Sequence, residues 1–293
     1  MNYRNRSWSS IQGFINYRSI NNLTAFYDIH FAYSCIIRLY CIYLFLTSLE
    51  YIYLLPQFSN GGIFSWKIMK LSVHPHIGRS GIGFLFNKAG FSAIVFTRLV
   101  LSICLFAAPL QPLAVYPLAI LTATSLLLAL RNSIGNDGTD QMSMIISITL
   151  FITFASGDPK IAAIGLYFIA AQSILAYVIA GIAKGLSPKW RSGQAVFQIM
   201  NTETYGYEKI ATFLQRSHPL AGRLLSWNIL VFEIFYFLVI FLPYPYFLLL
   251  MIWGILFHLF NAFVMGLNHF FWVFLATYPA IIYANMALHH YLH

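Results

Sequence analysis

The stretch KIAAIGLYFIAAQSILAYVIAGIAKGLSPKW, residues 160–190, decides how this chain is read. No charged residue stands between Lys160 and Lys184, and about 20 apolar residues suffice for a helix to cross a bilayer. The run 160–183 is therefore a spanning helix. It ends on a single lysine and then breaks at Ser-Pro-Lys-Trp. Two roles suit a lysine at that place. It can snorkel, laying its stem along apolar surface with its ammonium among head groups. It can also be a base, because burial disfavours the charged form of an amine and only the neutral amine takes a proton.

Composition extends the membrane reading to the whole chain. Of 293 residues, 59% are hydrophobic, 18% aromatic and only 9% charged, whereas a soluble domain carries about 25% charged residues. The net charge of +9 speaks to topology and lipid head groups. The basic residues are not interleaved with aromatics on a polar domain, so nucleic acid is set aside. Cys35, Cys41 and Cys104 all lie in apolar runs and read as core fillers rather than a disulfide framework. Residues 1–30 form a polar, interfacial N-terminal segment without a compact apolar signal region. Trp8, Ile11, Phe14 and Ile15 can face lipid there. Residues 31–293 form a single transmembrane helical domain.

The expected fold is an all-α polytopic membrane bundle of about eight helices, over 31–55, 91–109, 112–131, 141–157, 160–183, 225–242, 245–266 and 268–288. No internal repeat is evident, which counts against an inverted-repeat transporter. With this parity the connections 56–90, 131–140 and 184–224 share one side, with Lys67, Lys70, Arg79, Lys88, Arg131, Lys184, Lys189, Arg191, Lys209, Arg216 and Arg223. Arg4, Arg6, Arg18 and Lys160 lie on the other. The positive-inside rule would make the richer side cytoplasmic.

Ionisable groups inside spans are functional candidates by default. Arg38 and Glu50 share the first span but stand about 18 Å apart along its axis, so they do not pair. Arg98 is in the second span, Glu233 in the sixth, and His258 and Asn261 are three apart on one face of the seventh. Structural readings compete: Arg38 or Arg98 paired with Glu233, and His258 hydrogen-bonded with Asn261. His269, His289, His290 and His293 sit near helix ends and read as interfacial. HHYLH at the terminus has no partnered Cys or carboxylate set, so no metal site is read there. In RNSIGNDGTDQM, 131–142, Asp137-Gly138 forms a turn and Asp140 can cap the following helix.

Four segments together resemble the horizontally transferred transmembrane domain family, which is related to the membrane domain of vitamin K-dependent gamma-carboxylase. FAYSCIIRLYCIYLFL, 31–46, looks like its first span, with Arg38. RNSIGNDGTDQM looks like its Asn-Gly-Gly-Asp turn, with Asp140. YVIAGIAKGLSPKWRSGQAVFQIM, 177–200, is similar in both residue type and spacing, through Lys184 to Trp190. FHLFNAFVMGLNHF, 257–270, is similar to its Phe-His-x-x-Asn segment. The likeness runs from about residue 30 to 285. It implies Lys184 as the base that deprotonates a reduced vitamin K-type quinol, with His258 as a second catalytic group. Asn261, Arg38, Asp140 and Trp190 would line or support the pocket. The implied chemistry is quinol deprotonation, reaction with oxygen to an epoxide and a strong base, then proton removal from a glutamate and carboxylation.

The sequence departs from that pattern in places. Thr139 replaces the second Gly of the turn, and Ala183 replaces the first of two adjacent lysines. Beyond its last span the carboxylase continues into a large extramembrane part that holds its protein substrate. Here the sequence stops at His293, so propeptide recognition is not expected. The resemblance also places the basic loops outside the cytoplasm, against the charge count. Three readings follow. The first is a membrane enzyme acting on a lipid-soluble quinol, with coupled modification of a peptide. The second is a non-enzymatic membrane partner, or second maturation subunit, for a secreted antimicrobial peptide. The third is a transporter with Arg38, Glu233 and His258 on its path.

Overall fold

A computed structural model describes residues 28–72, 83–132, 136–216 and 219–292. The expected N-terminal lipid-facing residues and Arg79 lie outside them. Every regular element described is a helix, and the chain is an all-α, multi-pass integral membrane protein. The principal helices are α1 (Ile29–Tyr53), α2 (Lys88–Ala107), α3 (Val115–Arg131), α4 (Gly138–Ser156), α5 (Pro159–Leu186), α6 (Pro219–Phe235), α7 (Tyr246–Met265), α8 (Asn268–Leu275) and α9 (Tyr278–Leu292).

Seven segments are long and apolar enough to span, with α8 and α9 together forming the last of them. The 17-residue α3 is the short eighth, at the lower limit of spanning length of about 17 residues. The expected short span at 141–157 is instead a full 19-residue helix, because its start lies in the polar turn. There Asp137 Oδ1 accepts from Thr139 N at 2.7 Å, and Asp140 Oδ2 accepts from the Asp137 amide at 3.2 Å. This reciprocal box fixes the first turn of α4. Gly157, at φ +62°, closes the helix in the left-handed conformation that other residues resist. The last expected span is broken at Ala276–Thr277, where Thr277 Oγ1 donates to Phe274 O at 2.7 Å and meets Ser173 Oγ of α5 at 2.8 Å.

The outward faces identify the solvent. Ile164, Phe168, Leu175, Ile179, Ile182 and Leu186 of α5 are all exposed at helical spacing. Leu249, Ile252, Leu256, Phe260 and Phe263 do the same on α7. Such stripes are far larger than a monomer exposes to water, and in lipid they are the solvated surface. The last span is the central post, with 72% of its window buried against 22% for α7. Cys41 is buried and Cys35 half-buried, as a core reading expects, but Cys104 is exposed on α2.

One end of the bundle gathers the basic connections. Arg131, fully buried, donates to Phe86 O at 3.2 Å and Phe64 O at 2.9 Å. Its guanidinium sits over the rings of Phe91 and Phe58, at 4.5 and 4.7 Å. This pins the connection after α1 to the end of α3. At the same end His269 meets Glu50 at 2.5 Å. Far from it, α6 tightens into a 3-10 turn, Tyr236–Ile240. Its loose carbonyls are gathered by Asn285 Nδ2, which donates to Val239, Ile240 and Leu242 at 2.8–3.1 Å.

Candidate functional site

Lys184 stands in the last turn of α5, and its Nζ donates to Glu233 Oε1 of α6. Sequence reading proposed Arg38 or Arg98 as the partner of Glu233; the structure replaces both with Lys184. The close approach of α5 and α6 decides this. A Cβ on Gly181 would fall 2.7 Å from Ile234 N and 2.8 Å from Glu233 Cβ, so only glycine lets the helices meet there. Glu233 is almost fully buried, while the Lys184 side chain is one-quarter exposed. After Ser187 the chain turns through the short helix Pro188–Arg191, and this sets the Trp190 ring 5.4 Å from Lys184 Nζ. Trp227 Nε1 of α6 donates to Arg191 O at 3.2 Å and holds the turn down.

His258 is buried on α7. The sequence suggested Asn261 as its hydrogen-bond partner. Instead its Nε2 lies 2.7 Å from the hydroxyl of Tyr177 on α5. Its ring stacks on Phe274, with centroids 4.9 Å apart. Gly254, one turn earlier, leaves room for this arrangement, since a Cβ there would lie 2.2 Å from the Tyr278 hydroxyl. Asn261 follows His258 by one turn and faces the same space. Sequence reading missed Tyr177, although its position seven residues before Lys184 puts it on the same helical face.

Lys184, Glu233, Tyr177, His258 and Asn261 line a single cleft of about 460 Å³ between α4, α5, α6, α7 and α8. Its walls are otherwise largely apolar, with Leu175, Ile179, Ala180, Phe257, Phe270 and Phe274. That is the usual size and chemistry of a small-molecule site, apolar with a few convergent polar groups. Two buried polar atoms of its lining, Glu233 Oε2 and His258 Nδ1, have no hydrogen-bond partner among the described residues. Buried polar atoms are rarely left unpaired, and both residues line the cleft.

The remaining candidates are placed elsewhere. Arg38 is exposed on α1, donates to Ser34 Oγ and does not line the cleft. Asp140 closes the capping box and lines a different cavity, on the other side of α4. Trp190 abuts Lys184 without lining the cleft. Among the described residues no group of three or more His, Cys, Asp or Glu is placed to hold a metal ion. No protein-family model matches the chain, and no match is found among curated proteins or solved structures.

Proposed function

We propose that the chain is a gamma-carboxylase-like enzyme of the cell membrane, acting on a reduced, lipid-soluble quinone of the vitamin K type. The supporting observation is that Lys184 and His258, named from widely separated segments, line one apolar cleft with unpartnered polar atoms at Glu233 and His258. A flat hydrophobic ring with an oxygen at each end suits such walls, and lipid gives it a route of entry. When bound, the quinol would supply an acidic hydroxyl and, with one dioxygen, yield the quinone epoxide and one water.

The protein's part is proton handling and charge stabilisation. An ammonium–carboxylate pair at Lys184 and Glu233 is net neutral. One proton accepted from the ligand leaves an ammonium beside a carboxylic acid, so positive charge stands next to the oxyanion just formed. In a site that excludes water, such a preplaced charge counts far more than in solution. With the Tyr177 hydroxyl donating to Nε2, the His258 ring carries its proton on Nδ1 and can donate to the ligand's second oxygen. Asn261 adds an amide donor on the same wall. The Trp190 ring, 5.4 Å from Lys184 Nζ, favours the ammonium through a cation–π contact. Coupling to a peptide, as substrate or through a second maturation subunit, belongs to this reading.

The test is mass spectrometry of quinone epoxide formed by the purified protein in lipid nanodiscs, supplied with reduced naphthoquinol and oxygen. Epoxide from the wild type, lost in Lys184→Ala and in His258→Gln, is the expected result. No epoxide from the wild type would overturn the enzymatic reading. Lys184 and Glu233 would then be a tie between α5 and α6, and the non-enzymatic partner of a secreted antimicrobial peptide would take its place.

A further inference from the structure

A second cavity, of about 190 Å³, lies across α4 from the quinol cleft, among α1, α2, α3, α4 and α8. Room for one water takes only about 10–15 Å³, so this space holds several waters or a small ligand. Its lining is polar: Thr47, Ser125, Ser143 and Arg98 lie within, and Asn136, Asp137, Asp140 and His269 stand toward the basic end of the bundle.

Among the described residues Arg98 makes no direct ion pair in this cavity, although Asp137 and Asp140 line it too. Arg98 is 95% buried, at 5% exposure, and no carboxylate lies within ion-pair distance of it among the described residues. Its Nη2 makes one long contact, 3.5 Å to Thr47 Oγ1. Its Nε has no hydrogen-bond partner, and neither has the buried Ser125 Oγ. The acidic groups near the mouth are engaged by hydrogen bonds, and Asp140 lies within electrostatic reach of Arg98. Asp137 Oδ1 accepts from Thr139 N, Thr139 Oγ1 and Asp140 N at 2.7, 2.5 and 3.3 Å. Asp140 closes the capping box, and Glu50 meets His269. A buried guanidinium without a direct ion-pair partner is costly inside a membrane protein, and its unpartnered Nε edge is the side that takes a carboxylate as a planar fork.

We propose that this cavity is a binding site for a small monocarboxylate, held by Arg98 and Ser125. The carboxylates at the mouth select against multiply charged anions such as phosphate, because a second negative charge there meets Asp137 and Asp140. Exposed Asn136 and Asp137 make the entrance aqueous, unlike the lipid-side cleft. The site stands independently of the quinol reading.

The test is binding of 13C-labelled acetate to the full chain in nanodiscs, followed by saturation-transfer NMR at constant ionic strength. Saturable binding to the wild type is expected, weakened at least about tenfold in Arg98→Gln, the scale of a charge-assisted hydrogen bond. Ser125→Ala removes an unpartnered hydroxyl with little change in packing, and it should weaken binding about threefold or more. That variant carries the test if Arg98→Gln does not fold. Signal that fails to saturate with the wild type, or equal affinity in the wild type and Ser125→Ala, would overturn the proposal.

Discussion

The two cavities share a wall and treat buried positive charge in opposite ways. Gly138, Gln141, Met142 and Ile145 of α4 face the cleft, while Thr139, Asp140, Ser143 and Met144 face the polar cavity. On the cleft side Lys184 meets Glu233 directly. On the other side Arg98 meets no carboxylate. A charge paired within the fold holds two helices together and can pass a proton. A charge left open is a structural liability until something from outside completes it. The same helix thus separates a site suited to an apolar ligand with oxygens at its ends from one suited to an anion.

The largest effect that would break this contrast is at the pair. Lys184→Met leaves the buried Glu233 carboxylate without its partner and should cost about 3–5 kcal/mol, as breaking buried pairs does. The double variant Lys184→Met with Glu233→Leu should recover most of that loss, because two apolar groups replace two charges. Denaturant unfolding of both in detergent reads the difference. No recovery in the double variant would mean that the pair is not what couples α5 to α6. Gly181→Ala comes next. Its Cβ would meet backbone at Ile234, so α5 and α6 must separate at a cost of about 1–3 kcal/mol. The same displacement should lower epoxide formation, if the quinol reading holds, without touching any reacting group.

The spans were legible in the sequence because bilayer thickness forces long apolar runs, and helix ends fell within a few residues of Pro, Gly, Asn and Asp. The membership of the cleft was partly legible: Lys184, His258 and Asn261 do line one space. Pairings were not. Hydropathy says that Glu233 is inside a span but not which neighbour it faces, and α5 reaches α6 only across the connection 187–218. The cue was Gly181, whose missing side chain leaves room that the backbone of α6 takes. Arg38 and Asp140 were placed by likeness of motif. Geometry gives Arg38 an exposed position, and it gives Asp140 a capping role as its residue type suggested, but at the third residue of α4, with Asp137 as the N-cap. The open guanidinium of Arg98 had no sequence signal beyond its place in a span, because a missing partner is visible only in three dimensions.

A smaller effect tests the shared wall. Asp137→Ala removes the cap from α4 and should cost about 1 kcal/mol, while Asp137→Asn keeps an acceptor and most of the stability. Since the first turn of α4 borders both cavities, thermal unfolding and acetate binding should shift together in the alanine variant. A stability loss with acetate affinity unchanged would separate the cap from the polar cavity.

The smallest expected effect is the sharpest. Arg98→Met, measured without any carboxylate present, should change stability by less than about 1 kcal/mol and can raise it. Methionine fills similar space, and the change leaves no direct ion-pair partner behind. Thr47 Oγ1 still donates to Leu44 O at 3.1 Å, and Ser125 Oγ is unpartnered already. The sign is therefore opposite to that at Lys184, although both residues are cations at helix–helix contacts. Adding acetate should restore an advantage to the wild type, since a ligand that binds only the folded state stabilises it in proportion to its occupancy. If Arg98→Met instead costs as much as Lys184→Met in ligand-free buffer, the guanidinium is held by interactions within the protein, and the contrast between the two sides of α4 disappears.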